Sequence, residues 1–263
     1  MAGLLALVGA GRALPSPRVA ALDQCADQYV LALSPRADIV QLSERALNAD
    51  SYLRDRARGL PRGRADIESL LASRPTVVVR WWGGDPRLLA ALGRRGVTVV
   101  ALEEAHDFQG VRRNMRLVAS SLNQADAGER LVADMDRRLA AASGAWHGRR
   151  ALYLTSGGAT TGRGTLVDAV MQAAGMTNAE AGEGFHAISL EGLVAHPPEV
   201  VVQGFFDPAG AASSRWSFGR HGLLRRIIAD RPHVSLPSAI LACPAWFAAD
   251  GAEILARAAK SQS

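Results

Sequence analysis

Ile67-Glu68-Ser69-Leu70-Leu71-Ala72-Ser73-Arg74-Pro75-Thr76-Val77-Val78-Val79 returns later in the chain as Leu190-Glu191-Gly192-Leu193-Val194-Ala195-His196-Pro197-Pro198-Glu199-Val200-Val201-Val202. Seven of the thirteen pairs are identical, and the other apolar positions of the first copy stay apolar in the second. Each copy reads as a helix stopped near a proline, followed by a strand whose unbroken valine run fits burial on both faces. Each strand then enters a loop with glycine and paired aromatics, Trp81-Trp82-Gly83-Gly84 in the first copy and Gly204-Phe205-Phe206-Asp207 in the second. Ligands of open parallel α/β sheets bind outside the carboxyl ends of the strands. Two such units face to face would enclose an aromatic-lined cleft suited to a large, partly apolar guest.

Working outward from the two copies, strands alternate with helices. Arg18–Leu22 reads as a strand that Asp23 ends, and Asp23 can cap the helix carrying Tyr29, Val30 and Leu33. Ile39–Leu42 is a second strand, and 43–64 reads as exposed loop with a helical turn or two. A helix over Leu88–Arg94 and a strand over Val97–Leu102 follow the first copy. Val111–Leu122 is helical by pattern. Asp126-Ala127-Gly128-Glu129 then looks like a capping box, and Leu131, Val132, Met135 and Leu139 form one helical stripe. No strand separates these helices, so residues 123–146 are read as a single connector helix between an N-terminal lobe (18–122) and a C-terminal lobe (147–263). In the second lobe, strand Ala151–Leu154 leads through the glycine-rich 155–164 into a helix over Leu166–Ala174, closed by Gly175. About twelve extra residues, including Arg215-Trp216, precede a Leu223-Leu224 helix. A strand at His233–Leu236, a loop Cys243–Phe247 and a last helix to Ala259 complete the chain. The fold class is therefore α/β, with two Rossmann-like lobes and a cleft between them.

Composition narrows the function. The formal charge of +5 comes almost wholly from arginines scattered among acids, with Lys260 the one lysine, which argues against nucleic-acid binding. The loop 155–164 lacks the Gly-Lys-Ser/Thr of a phosphate-binding loop, and no Gly-x-Ser-x-Gly elbow is present. The six histidines show no metal-ligand spacing and read as surface or cap residues. Glu103-Glu104 reads as a solvated strand exit. Leu4–Ala10 is apolar and precedes a small-x-small triplet, Gly11-Arg12-Ala13. Residues 1–13 are thus read as a signal peptide, although no basic residue precedes Leu4. A Cys25–Cys243 bridge would suit an oxidising compartment but would freeze a hinge between lobes. The two are therefore read as small buried hydrophobes.

With Leu22-Asp23-Gln24-Cys25-Ala26-Asp27-Gln28, the Glu68…Pro75…Val79 block, Trp81-Trp82-Gly83-Gly84, and Gly164-Thr165-Leu166 leading to Ala173-Ala174-Gly175-Met176, the chain resembles the substrate-binding proteins of ABC importers. The resemblance is to the branch that carries vitamin B12 and iron–siderophore complexes, and it spans nearly the whole chain after residue 13. It implies two lobes on one long helix, a stiff hinge, a periplasmic or secreted location and an inner-membrane ABC permease as partner. The expected guest is a ferric siderophore, a corrinoid or a haem-like chelate. Trp81, Trp82, Gly83, Phe205, Phe206, Trp216 and Trp246 would supply stacking surface, Arg215 would neutralise anionic groups, and Asp23, Gln24, Thr155 and Ser156 would orient polar edges. Where the family places a permease-docking acid, Arg87 stands, so Asp85 and Asp207 are the docking candidates. No catalytic residue, metal site or cofactor is expected, and the chain should act as a monomer. The rival expectations are an α/β enzyme using Asp23, Asp85 or Asp207 in the same cleft, and a direct metal-ion binder.

Overall fold

The computed structural model describes residues 16–205, 222, 226 and 229–261. The expected signal peptide, Phe206, Asp207, Arg215, Trp216 and the Leu223-Leu224 helix lie outside the described residues.

The first lobe runs β1 (Val19–Ala21), α1 (Gln24–Leu33), β2 (Ile39–Ser43), α2 (Arg54–Ala57), β3 (Arg62–Gly63), α3 (Ile67–Ser73), β4 (Val77–Arg80), α4 (Pro86–Gly93) and β5 (Thr98–Ala101). Its five strands are ordered β3-β2-β1-β4-β5, and every pairing is parallel. Then come α5 (Phe108–Ser121) and α6 (Ala125–Ala142), the long helix between the lobes. The second lobe continues with β6 (Arg150–Thr155), β7 (Ala159–Thr161), α7 (Leu166–Ala173), β8 (Thr177–Asn178), β9 (Phe185–Ala187), α8 (Leu190–Ala195), β10 (Val200–Gly204), β11 (His233–Leu236), α9 (Ser238–Leu241) and α10 (Ala248–Lys260). Here the parallel order is β11-β10-β6-β8.

The two copies of the repeat become α3–β4 and α8–β10. The valine runs work as the sequence requires. Val78 packs under Leu70, Leu88 and Leu92 on one face, while Val77 and Val79 enter the main core on the other. In the second lobe Val201 joins Leu193 in a small satellite core, and Val200 and Val202 face the main core. That main core is continuous from Tyr29 and Met115 through Met135 and Trp146 to Tyr153 and Phe247, so the lobes share one apolar interior. The Trp146 indole N–H, buried within it, donates to Leu255 O at 2.8 Å.

Four expectations are corrected. A fifth strand, β3, sits in the stretch read as loop, pairing Arg62 and Gly63 with Leu42 and Ser43. The glycine-rich 155–164 is not an open loop: β7 within it pairs antiparallel with β9 to make a small ribbon. Asp126 does not cap α6, which begins at Ala125 with Gln124 as its N-cap residue. Cys25 and Cys243 are joined by a disulfide, with Cα atoms 5.3 Å apart. It links α1 of the first lobe to the loop after α9 of the second. The bridge therefore spans the lobes, where the sequence reading expected two free thiols.

Candidate ligand-binding cleft

The cleft is built on one buried carboxylate. Asp23 has no exposed surface and stands where β1 ends. Its Oδ1 accepts the backbone N–H of Cys25 (3.1 Å) and Ala26 (2.9 Å), which caps α1. Its Oδ2 accepts from Trp81 (2.7 Å), Trp82 (3.2 Å) and Gly83 (2.9 Å), which folds the loop after β4 around it. Glycine is required at 83 because a Cβ there would strike the backbone of Leu22. Arg80 Nε closes the turn by donating to Gly83 O at 2.6 Å.

This loop decides which tryptophan faces the guest. Trp81 is half-buried, packs against the main core and lines a cavity of about 270 Å³. Trp82 is 51% exposed and turns the other way, toward a recess of about 200 Å³, with the Arg45 guanidinium carbon 5.5 Å from its ring centre. The larger cavity lies at the carboxyl ends of β4, β5 and β11, where an open α/β sheet binds ligands. The first lobe supplies Trp81 and Glu104-Ala105-His106. The second supplies Gly164–Val167 and Val170 around α7, Gly184 and Phe185 at the ribbon, and Ile240–Pro244 and Ala248. Phe185 is 60% exposed and meets Tyr153 edge to face, centroids 6.4 Å apart.

The wall Ile240–Pro244 is tied to the opposite lobe. Besides the disulfide, Tyr29 donates to Pro244 O at 2.9 Å and Trp246 meets Tyr29 edge-on at 5.5 Å. Phe247 stacks on Tyr52 at 4.1 Å, and the Tyr52 hydroxyl donates to Asp250 Oδ2 at 2.6 Å. Arg138 of α6 also holds the Asp250 carboxylate. Burial and the Asp250 charge together push the Tyr52 phenol up to about 12, so it stays a donor.

Of the residues expected at the site, the structure places Trp81 in the cavity wall. Asp23 is buried with both oxygens committed to backbone N–H groups, so it shapes the wall and presents no free oxygen to a guest. Gln24, in the first turn of α1, is 6% exposed. Trp246 is 8% exposed and packed between Tyr29 and Phe247, hence core rather than stacking surface. Thr155 turns its hydroxyl onto Ala159, and Ser156 sits beside it in the same turn, away from the cavity wall. Phe205 is half-buried at the end of β10 with φ 59°, a left-handed conformation that costs a non-glycine residue about 1–2 kcal/mol. Asp85 is exposed and caps α4, accepting from Arg87 N (2.8 Å) and Leu88 N (2.9 Å).

Sequence reading missed Phe185, Glu104, His106 and the Ile240–Pro244 wall. A visible signal for Phe185 was its place after Gly182-Glu183-Gly184; for Glu104 and His106 it was their place at a strand exit. Among the described residues no three His, Cys, Asp or Glu side chains converge as a metal site, and no helix is long and apolar enough to cross a membrane.

Compared with known proteins, residues 19–204 match the family model described as periplasmic binding protein. Among solved structures the chain is similar to the periplasmic heme-binding protein BhuT in complex with two hemes. The two share 26% identity over 94% of this chain and 98% of that one, with TM-score 0.70. It is similar in fold to the periplasmic heme-binding protein RhuT from Roseiflexus sp. RS-1, at 24% identity, 94% and 98% coverage and TM-score 0.71. The periplasmic vitamin B12 binding protein BtuF of Vibrio cholerae shares the fold at 19% identity, 94% and 98% coverage and TM-score 0.67. No curated protein matches the chain.

Proposed function

We propose, from the premise that this chain belongs to the periplasmic binding protein family, that it captures a metal chelate in the cleft and delivers it to an ABC importer. The family is one of substrate-binding proteins. The observation that carries the reading is the cavity itself: about 270 Å³, walled by both lobes, with Trp81 and Phe185 contributed from opposite sides. Fully burying one such ring is worth at most ~4–6 kcal/mol at ~25 cal/mol/Å². Two rings, less ordering costs, suffice for micromolar binding or tighter. The BhuT, RhuT and BtuF titles name heme and vitamin B12 as the guests of similarly folded proteins.

The lobes of this reading are 18–122 and 147–263, with 123–146 as the connector. Asp85 is the described candidate for permease docking, with Asp207 as the counterpart in the second lobe. The Cys25–Cys243 bridge supports a periplasmic or secreted location, since such bonds persist in oxidising compartments. Equilibrium titration of tryptophan fluorescence with hemin, cobalamin and several ferric siderophores tests the proposal. Saturable quenching by at least one of them at micromolar concentration or below is expected. Failure of all to bind would sink it.

A further inference from the structure

The cavity wall is apolar almost throughout, so its few polar side chains carry the information about what it holds. Three are present: Thr165, Glu104 and His106. The Thr165 hydroxyl is spoken for. It accepts from Asp168 N as the cap of α7 and lies 2.7 Å from Thr161 Oγ1. Glu104 and His106 are exposed, and among the described residues neither enters a hydrogen bond or an ion pair.

Their freedom is a consequence of how the loop between β5 and α5 is pinned. The backbone of Glu103 is held at both ends by the Asn114 side chain, N–H to Oδ1 at 2.9 Å and C=O from Nδ2 at 2.8 Å. Ala105 is 2% exposed and pressed so closely on Gly110 that a Cβ there would strike it. Asp107 caps α5 by accepting from Gly110 N at 2.7 Å. With 103, 105 and 107 fixed, the intervening side chains 104 and 106 are left to the cleft on a rigid backbone. An imidazole so presented, at the edge of an apolar slot and two residues from a carboxylate, is a preorganised nitrogen donor for a metal.

We propose that His106 ligates the metal of the captured chelate at an exchangeable axial position, with Glu104 beside it favouring the cationic centre. This rests on reading the cleft as the ligand site, and it narrows the guest to a planar metal macrocycle with an open axial place. The imidazole nitrogen replaces an axial water, which leaves to solvent, while the macrocycle lies against Trp81 and Phe185. A ferric siderophore whose six positions are all filled offers His106 nothing to bind.

The test uses the full chain and four probes: hemin, aquocobalamin, metal-free protoporphyrin IX and ferrioxamine B. Absorbance spectra and affinities are recorded for wild type, His106→Ala and Glu104→Gln. Hemin or aquocobalamin is expected to bind about tenfold or more tightly than the metal-free ring and ferrioxamine B. His106→Ala should lose about that factor and shift the metal chromophore bands, and added imidazole should restore the wild-type spectrum. Glu104→Gln should leave the bands in place. His106 is exposed and unbonded, so an unchanged melting midpoint separates loss of ligation from loss of fold. Equal spectra and affinities for wild type and His106→Ala overturn the proposal while the cleft reading stands. Absence of binding by all four probes overturns both.

Discussion

Replacing Cys25 and Cys243 together by alanine removes the covalent tie between the lobes. The bridge joins residues separated by 218 positions, which is most of the chain. In the chain-entropy account, closing a loop of that length removes about 5 kcal/mol of freedom from the unfolded state at 25 °C. Measured effects usually fall below that figure, at about 2–4 kcal/mol. Both cysteines are 3% exposed, so the alanines leave a small void that adds perhaps ~1 kcal/mol each. The non-covalent ties beside the bridge, Tyr29 to Pro244 and Tyr52 to Asp250, persist in the folded variant. The native structure should therefore survive while the unfolded state gains entropy. Equilibrium urea unfolding should show the double variant losing about 3–5 kcal/mol, and wild type under a dithiol reductant should fall to a similar midpoint. Unfolding of wild type that ignores the reductant and coincides with the variant would refute the reasoning, because the two sulfurs would then not be bonded in solution.

Trp81→Ala should weaken ligand binding by about tenfold or more, and Trp82→Ala by less than about threefold, since one ring lines the cavity and the other faces a separate recess; paired fluorescence or absorbance titrations measure both, and equal losses would reverse the assignment. Asp23→Ala strips the acceptor from five backbone N–H groups and should cost about 3 kcal/mol or more, with faster amide exchange at 81–83; protection unchanged there would contradict its anchoring role. Asp27 is pushed up to about 7, mainly by burial, against which its hydrogen bonds from Ser43 N and Oγ act. A raised carboxyl leaves the contribution to stability intact below about pH 4, where the unfolded chain is also protonated, and loses it as pH climbs toward 7. At ~1.4 kcal/mol per pH unit that is up to about 4 kcal/mol, and Asp27→Asn, which keeps an acceptor for Ser43 N and a donor for its hydroxyl, should flatten the fall. Urea midpoints at pH 5 and 8 decide it: an equally steep fall in the variant would mean that another group titrates.

Signals that depend on neighbours in sequence were legible, and signals that depend on neighbours in space were not. The valine runs at 77–79 and 200–202 announced buried parallel strands because three consecutive apolar residues have no solvent face to serve. Asp23 as a helix cap and Gly175 after α7, at φ 81°, follow from local backbone geometry. The edge strand β3 has no such mark: two residues, Arg62 and Gly63, become a strand because β2 offers them an open ladder. The ribbon β7–β9 draws its partners from either side of α7, and Thr and Gly in both arms read equally as loop. The Trp81-Trp82 pair lies in a turn, where alternation gives no rule for which ring faces inward. The answer came from Asp23, whose carboxylate gathers three successive N–H groups across from β1. Trp246 reads as a loop aromatic in sequence and turns out to be core, because Tyr29 and Phe247 arrive from elsewhere.

The ties between the lobes bear on how tightly such a cleft can bind. Association loses affinity to whatever must be ordered on capture, and a wall that is already fixed removes that cost. Here the first lobe's contribution is rigid at each point: Trp81 by the Asp23 bonds, Glu104 and His106 by Asn114, Ala105 and the α5 cap. The second lobe's wall Ile240–Pro244 is bonded to the first lobe through Cys243 and Pro244, so it travels with that lobe. Helix α7 is less free than its position suggests, since Gly251 of α10 lies close to Val170. What is left with latitude is Phe185, 60% exposed at the ribbon's edge. A cleft with three fixed walls and one adjustable ring selects its guest by shape and adjusts over one face, which fits a flat, rigid ligand better than a flexible one.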